Sequence, residues 1–232
     1  MTTRSMKTLL ATAVLGTILL GLQPAAALTD RTSRVLERVK AELKTPASVT
    51  LDSHHRLSIN WTRGTVKAGD IAALPGSILA KVRPILWKNR DFRILETKTE
   101  SSRFGVVANS TVSLDGFPVI DHFMRVATRA DGSLKDVVLS IPADAAGFAV
   151  ADAKPAVDLD AAGRTICAHA AERFDGLVCP GQAQRVWFMD ENGVLAPGAR
   201  MLLKGAEMSR LFEAVVDLRT GRIVRFADIA RR

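Results

Sequence analysis

The sequence predicts an α+β fold, and three observations carry that prediction. Apolar residues recur at helical spacing in three stretches. Two longer regions switch to a period of two. Pairs such as Asp115-Gly116, Asp131-Gly132 and Asn192-Gly193 punctuate those regions at hairpin distance. The 232 residues are 47% hydrophobic and 24% charged, so the chain can bury a core, and a disordered or collagenous chain is excluded. With two Cys it is not a disulfide-dense miniature scaffold either.

The elements follow in order. Arg4 and Lys7 precede an uncharged apolar run over 8–22, Gly21 and Pro24 break it, and Ala25-Ala26-Ala27 follow. This is the pattern of a signal peptide over 1–27, cleaved after Ala27. The run of 15 residues is shorter than the roughly 20 that span a bilayer. The expected product is exported, periplasmic or extracellular, and has no transmembrane segment. Its formal charge falls from +8 to +6, because the leader carries two cations and no acid. Thr29 or Asp30 caps a helix over 29–44, with Val35, Leu36, Val39 and Leu43 on one stripe. A hairpin around His54-His55 follows. A second helix over 77–89 contains Pro84, which is expected to kink or split it. Strands are expected at 93–101, 103–113, 117–128 and 133–141. Residues 142–157, rich in Ala, Asp and Pro, read as a linker. A helix over 158–174 is interrupted by Gly163, and strands resume at 184–190, 194–204, 209–218 and 222–228. The domain plan is therefore 28–141, a linker, and 158–232.

The second half partly repeats the end of the first. Phe123, Val126, Gly132, Leu134 and Val137 share the spacings 3, 6, 2, 3 with Phe212, Val215, Gly221, Ile223 and Phe226. In the last hairpin Phe212, Ala214, Val216 and Leu218 form an apolar face that should pack on a helix. Leu211, Glu213, Val215 and Asp217 form a mixed face at the expected sheet edge. These four are the candidate partner-binding residues. A basic patch of Lys81, Arg83, Lys88, Arg90, Arg93 and Lys98 would steer an acidic partner.

The chemistry-bearing residues form no catalytic pattern. H-E-x-x-H, G-x-S-x-G, G-x-G-x-x-G and P-loop motifs are all missing from the sequence. His169 and Glu172 stand three apart on a helix and read as a surface ion pair. Cys167 and His169 stand two apart on that helix and diverge, so they do not share a metal. Asp121 and His122 are strand neighbours facing opposite ways, so a dyad is not expected. No nucleic-acid motif accompanies the basic patch, and no nucleic-acid partner is expected. No cofactor, metal or catalytic residue is assigned. Cys167 and Cys179, the only cysteines of an exported chain, are expected to form a disulfide.

Two regions carry a family resemblance. ILAKVRPILWKNRDFRIL (78–95) and LDGFPVIDHFMRVATRADGSLKDV (114–137) place residues 47–141 close to the propeptide motif of fungalysin and thermolysin metalloproteases. DLDAAGRTICAHAAERF and AVVDLRTGRIVRF make residues 158–228 resemble a PepSY domain. The Phe-Gly that often follows Pro-Val in the family is Ile120-Asp121 here, and the sequence ends soon after the last strand, without a metalloprotease domain. The resemblance implies two small cystatin-like or PepSY-like units, each an antiparallel sheet packed on one or two helices. It also implies a non-enzymatic inhibitor or folding chaperone of a secreted peptidase, acting in trans on a secreted or envelope protein such as a metallopeptidase. The alternative is a cell-envelope module that binds anionic ligands or another envelope protein.

Overall fold

Tight turns set most of the strand pairing. The computed structural model describes residues 25–43, 46–52, 56–64, 67, 69–87, 90–140, 154–174, 176–179, 181–205 and 210–230. Most of the expected leader, His54-His55, Lys88 and most of the expected linker lie outside them. The first half holds α1 (Ala25–Glu42), β1 (Ser48–Leu51), β2 (Arg56–Asn60), α2 (Leu74–Trp87), β3 (Phe92–Ser102), β4 (Gly105–Leu114), β5 (Phe117–Thr128) and β6 (Leu134–Ser140). The second holds α3 (Leu159–Arg173), β7 (Leu177–Val178), β8 (Gln184–Met189), β9 (Leu195–Gly205), β10 (Leu211–Asp217) and β11 (Ile223–Asp228). Asp115 and Gly116 have φ of 51° and 83°, the doubly positive geometry that matches the twist of two hairpin strands, and they close β4 onto β5.

Three local expectations are revised. The first helix begins at Ala25, so Thr29 and Asp30 lie inside it rather than capping it. The second runs unbroken through Pro84, held by the buried Ile78, Leu79, Val82, Leu86 and Trp87 on its inner face. Burying each such side chain is worth about 1.5–3 kcal/mol, so together they outweigh the roughly 3 kcal/mol a mid-helix proline costs. Gly163 does not interrupt the third helix. It is buried against β9, where a Cβ would lie 3.4 Å from Met201 Cε. Asp158 caps that helix by accepting a 2.6 Å hydrogen bond from the Ala161 N–H.

The α+β fold class, with two small cystatin-like or PepSY-like units, is not what the chain forms. Among the described residues eleven strands join in one mixed sheet, with three helices laid on it, and strands dominate. The path runs β1-β2-β6-β5-β8-β9-β10-β11, with β4 and β3 branching from β5, and β7 from β9. Every pairing is antiparallel except β5 with β8, which meet in parallel at Val119 and Trp187.

That join has a local cause. Along β5 the ladder to β4 passes from Phe117 and Pro118 directly to Phe123, while β4 advances only from Ser113 to Thr111. Residues 119–122 therefore bulge out of the β4 ladder, and Val119 turns to β8 instead. Trp187 completes the join. Its indole N–H donates to the Leu114 carbonyl at 3.0 Å, and its ring enters the core under α1 and α2 beside Val112, Leu114 and Met124. A second core holds α3 (Ala162, Ile166, Ala170) against Met201, Leu203, Phe212, Ala214 and Val216. The apolar face of β10 thus packs on a helix.

Candidate functional site

The bulge puts Ile120, Asp121 and His122 at one wall of a cleft of about 670 Å³. The facing wall comes from the turn after β8 and from the β10–β11 hairpin. Ile120 packs there on Phe188, Ala196 and Val215, which form a small core on the face of the second half opposite α3. The cleft therefore has an apolar floor. Its rim is charged.

Two ion-pair chains organise that rim. In the first, Arg225 donates one Nη to Asp121 and the other to Glu213 at 3.0 Å, and Arg200 Nε donates to Glu213 at 2.7 Å. This chain ties the bulge to β11, β10 and β9. In the second, Arg219 donates to both carboxylate oxygens of Asp217 at 2.8–3.1 Å and to Asp190 at 3.0 Å. It links the β8–β9 turn to the β10–β11 turn. The side chains of Glu213 and Asp217 are 7% and 6% exposed, so each buried carboxylate meets a guanidinium, as burial requires. Hydrogen bonding to Asp217 and Asp190 holds the Arg219 guanidinium well above its ordinary value against the opposing effect of burial. The hydrogen bond and charge of Asp121 do the same for Arg225. Burial works to raise the Asp190 carboxyl. The N–H groups of Val194 and Asn192 and the Arg219 guanidinium prevail, and hold it below the usual carboxylate range.

Asp121 is unusual in its backbone. Its φ of +61° lies in the left-handed region, which costs an ordinary L-residue about 1–2 kcal/mol and which Asp tolerates better than most. Here the side chain adds the carboxylate that receives Arg225. Next to it, His122 has both ring nitrogens buried, and desolvation holds the imidazole below its ordinary value, although a hydrogen bond to the Asp121 backbone and then the Asp121 charge oppose this.

The residues singled out from the sequence fall as follows. The mixed face of β10 is not an exposed edge. Glu213, Val215 and Asp217 are 5%, 1% and 4% exposed, Leu211 is half-buried, and β10 is paired on both sides by β9 and β11. The expected exposure fails because the bulge of β5 and the arginines of β9 and β11 cover this face. Cys167 and Cys179 are bonded to each other, with Cα atoms 5.9 Å apart, so α3 is tied to the end of β7. His169 packs edge-on against Phe226 with ring centroids 5.2 Å apart. The basic patch is partly neutralised, since Arg83 and Arg93 both donate to Asp91 and Lys98 pairs with Glu96. Among the described residues no three His, Cys, Asp or Glu side chains cluster as metal ligands would.

Sequence reasoning missed Asp121, Arg200, Arg219 and Arg225. A signal was present: two acids alternate with apolar residues on a strand that should be buried, and arginines follow at 219 and 225. Such acids need partners inside the protein.

No family model matches the chain, and no curated protein matches it. Among solved structures, the Bacillus megaterium YpeB C-terminal domain matches at 8% identity over 88% of this chain and 97% of that chain, with a TM-score of 0.39.

Proposed function

We propose that the protein is an exported binding protein, without catalytic activity of its own, that engages another exported or envelope protein in trans. A secreted peptidase is the first partner to test, on the strength of the segments 78–95 and 114–137. The observation that carries the binding reading is the cleft where the two halves of the sheet meet. Its volume of about 670 Å³ lies within the range of small-ligand and peptide-side-chain pockets. Its apolar floor and fixed charged rim suit a partner segment that alternates apolar and charged side chains. Arg222 and Glu191 are exposed on the rim and outside the two ion-pair chains, so they are free to meet such a segment. The carboxylates inside those chains are engaged by arginine and supply no free acid-base pair.

Export is supported by the leader pattern and by the Cys167–Cys179 bridge, which suits an oxidising compartment. Among the described residues no helix is long and apolar enough to cross a membrane.

The test is a titration of the exported protein against metallopeptidases purified from the same exported fraction. Residual activity and activity recovered after refolding are both measured. Binding through the cleft predicts that Arg222→Glu and Val224→Asp, both at exposed lining positions, weaken whichever effect is seen. No effect on activity or refolding, together with no complex on gel filtration, rules out the peptidase partner. It leaves the envelope-module alternative.

A further inference from the structure

At the far end of β5 from the cleft, the β3–β4 turn displays Phe104, which at 72% is the most exposed large hydrophobic side chain among the described residues. The turn beneath it is rigid. Gly105 has φ of +137°, and a Cβ there would stand 2.1 Å from the Thr128 carbonyl oxygen, so the hairpin backbone rests directly on β5. The Thr128 hydroxyl accepts from the Val106 N–H at 3.0 Å and donates to the Val106 carbonyl. The Ser102 hydroxyl accepts from the Phe104 N–H and donates to the Gly105 carbonyl. The backbone that carries the ring is thus held in place by the hairpin's own hydrogen bonds.

One cation lies against it, and others follow across the adjoining turn. The Arg103 guanidinium lies 4.7 Å from the Phe104 ring centroid. The adjoining β5–β6 turn adds Arg129, whose donors go to the main-chain carbonyls of Leu134 and Trp61 and leave its charge unneutralised. Lys67 is exposed and bridges to Ser133, and Arg63 pairs with Asp131 at 3.0 Å. Asp131 is the only carboxylate in either turn, and the next one back along β3 is Glu100. With Asp70, three residues from Lys67, the four cations meet three acids, and the region carries about +1 beside an exposed aromatic ring.

A polyanion in solution would use the cations and leave the ring in water. An apolar pocket on a protein would take the ring and strand the cations. A surface with anionic groups above a hydrocarbon boundary uses both. We propose that this tip docks the protein onto anionic phospholipid bilayers, with Phe104 inserted at the headgroup–acyl boundary, Arg63, Lys67 and Arg103 over the phosphates, and Arg129 adding its charge from behind. One ring and a small basic cluster give weak, reversible binding.

The exported protein is titrated with vesicles of phosphatidylcholine alone and of phosphatidylcholine with phosphatidylglycerol in equal parts, and bound protein is measured by co-sedimentation. Binding to the mixed vesicles alone is expected, and it weakens as salt is raised. Phe104→Ala should weaken it about tenfold. Arg103→Glu, which changes the tip by two charges, should weaken it about 25-fold. Phe104→Trp should shift its emission to the blue only with the mixed vesicles. The protein used begins at Leu28, and both positions are exposed, so circular dichroism should be unchanged in the variants. Three results would each overturn the proposal: no binding to the mixed vesicles, wild-type binding by Phe104→Ala, or polyphosphate binding as tight as vesicle binding and indifferent to Phe104.

Discussion

Trp187→Phe tests whether the two halves are one cooperative structure. Trp187 is 7% exposed and holds the junction in two ways: its N–H reaches the Leu114 carbonyl 73 residues away, and its ring fills the first core. Phenylalanine keeps the apolar character, loses the donor, and leaves a buried carbonyl without its partner. The lost hydrogen bond costs about 1–2 kcal/mol. The smaller ring costs about 1 kcal/mol more in packing. The sum, about 2–3 kcal/mol, should lower the melting temperature by about 5–10 °C for a chain of this size. The assay reads two signals together. Far-UV circular dichroism follows the whole sheet. Fluorescence follows the remaining Trp61 and Trp87, both 4% exposed in the first core. One sheet predicts coincident transitions in the wild type and an equal downward shift of both signals in the variant. If Trp61 and Trp87 melt at the wild-type temperature while circular dichroism shows an earlier second step, the halves are independent and the join at Val119 and Trp187 carries no cooperativity.

Other outcomes follow from the same geometry. The folded protein holds His122 below the ordinary imidazole value of about 6.5, so the unfolded chain takes up that proton first as pH falls. Its contribution to stability is complete above about pH 6.5 and declines below it, and urea midpoints at about pH 7.5 and about pH 5 should differ less in His122→Gln than in the wild type. At Asp121 the left-handed backbone predicts that Asp121→Val destabilises by about 1–2 kcal/mol more than Asp121→Gly, which loses only a half-exposed ion pair; equal midpoints for the two variants would show that the backbone there is not left-handed. The exported protein should show no alkylatable thiol before reduction. Cys167→Ser with Cys179→Ser should cost about 3 kcal/mol for a closed loop of this length, and two labelled thiols by mass would contradict the bridge.

Much of the secondary structure was legible because local chemistry decides it. The Asp115-Gly116 turn, the β5–β6 and β10–β11 hairpins expected from the shared spacing, and the apolar stripe of α2 all follow from residues within a few positions of one another. The joining of the strands was not legible. Val119 meets Trp187 only because four residues bulge from the β4 ladder, and nothing in the alternation of FPVIDHFM announces a bulge. The same gap explains the misreading of β10. Alternation showed correctly that Glu213, Val215 and Asp217 share a face, but whether that face is wet depends on Arg200, Arg225 and Ile120, which arrive from other strands. Asp121 and His122 were dismissed as a dyad on a regular strand, and the strand is irregular at that point.

The Trp187–Leu114 contact also sets an order of assembly. A chain that emerges amino terminus first, as every chain does in synthesis, delivers β1 to β6 before β8. Those strands can pair with one another at once, yet their core lacks the indole that caps Leu114, and the bulge at 119–122 has no neighbour to receive it. The early half must therefore wait, partly open, until residue 187 arrives. Closing contacts between residues so far apart in the chain is the slow part of folding. Until then the stretch of β5 that pairs with β8 has no partner there, which is where a protease would be expected to cut a chain truncated before residue 187.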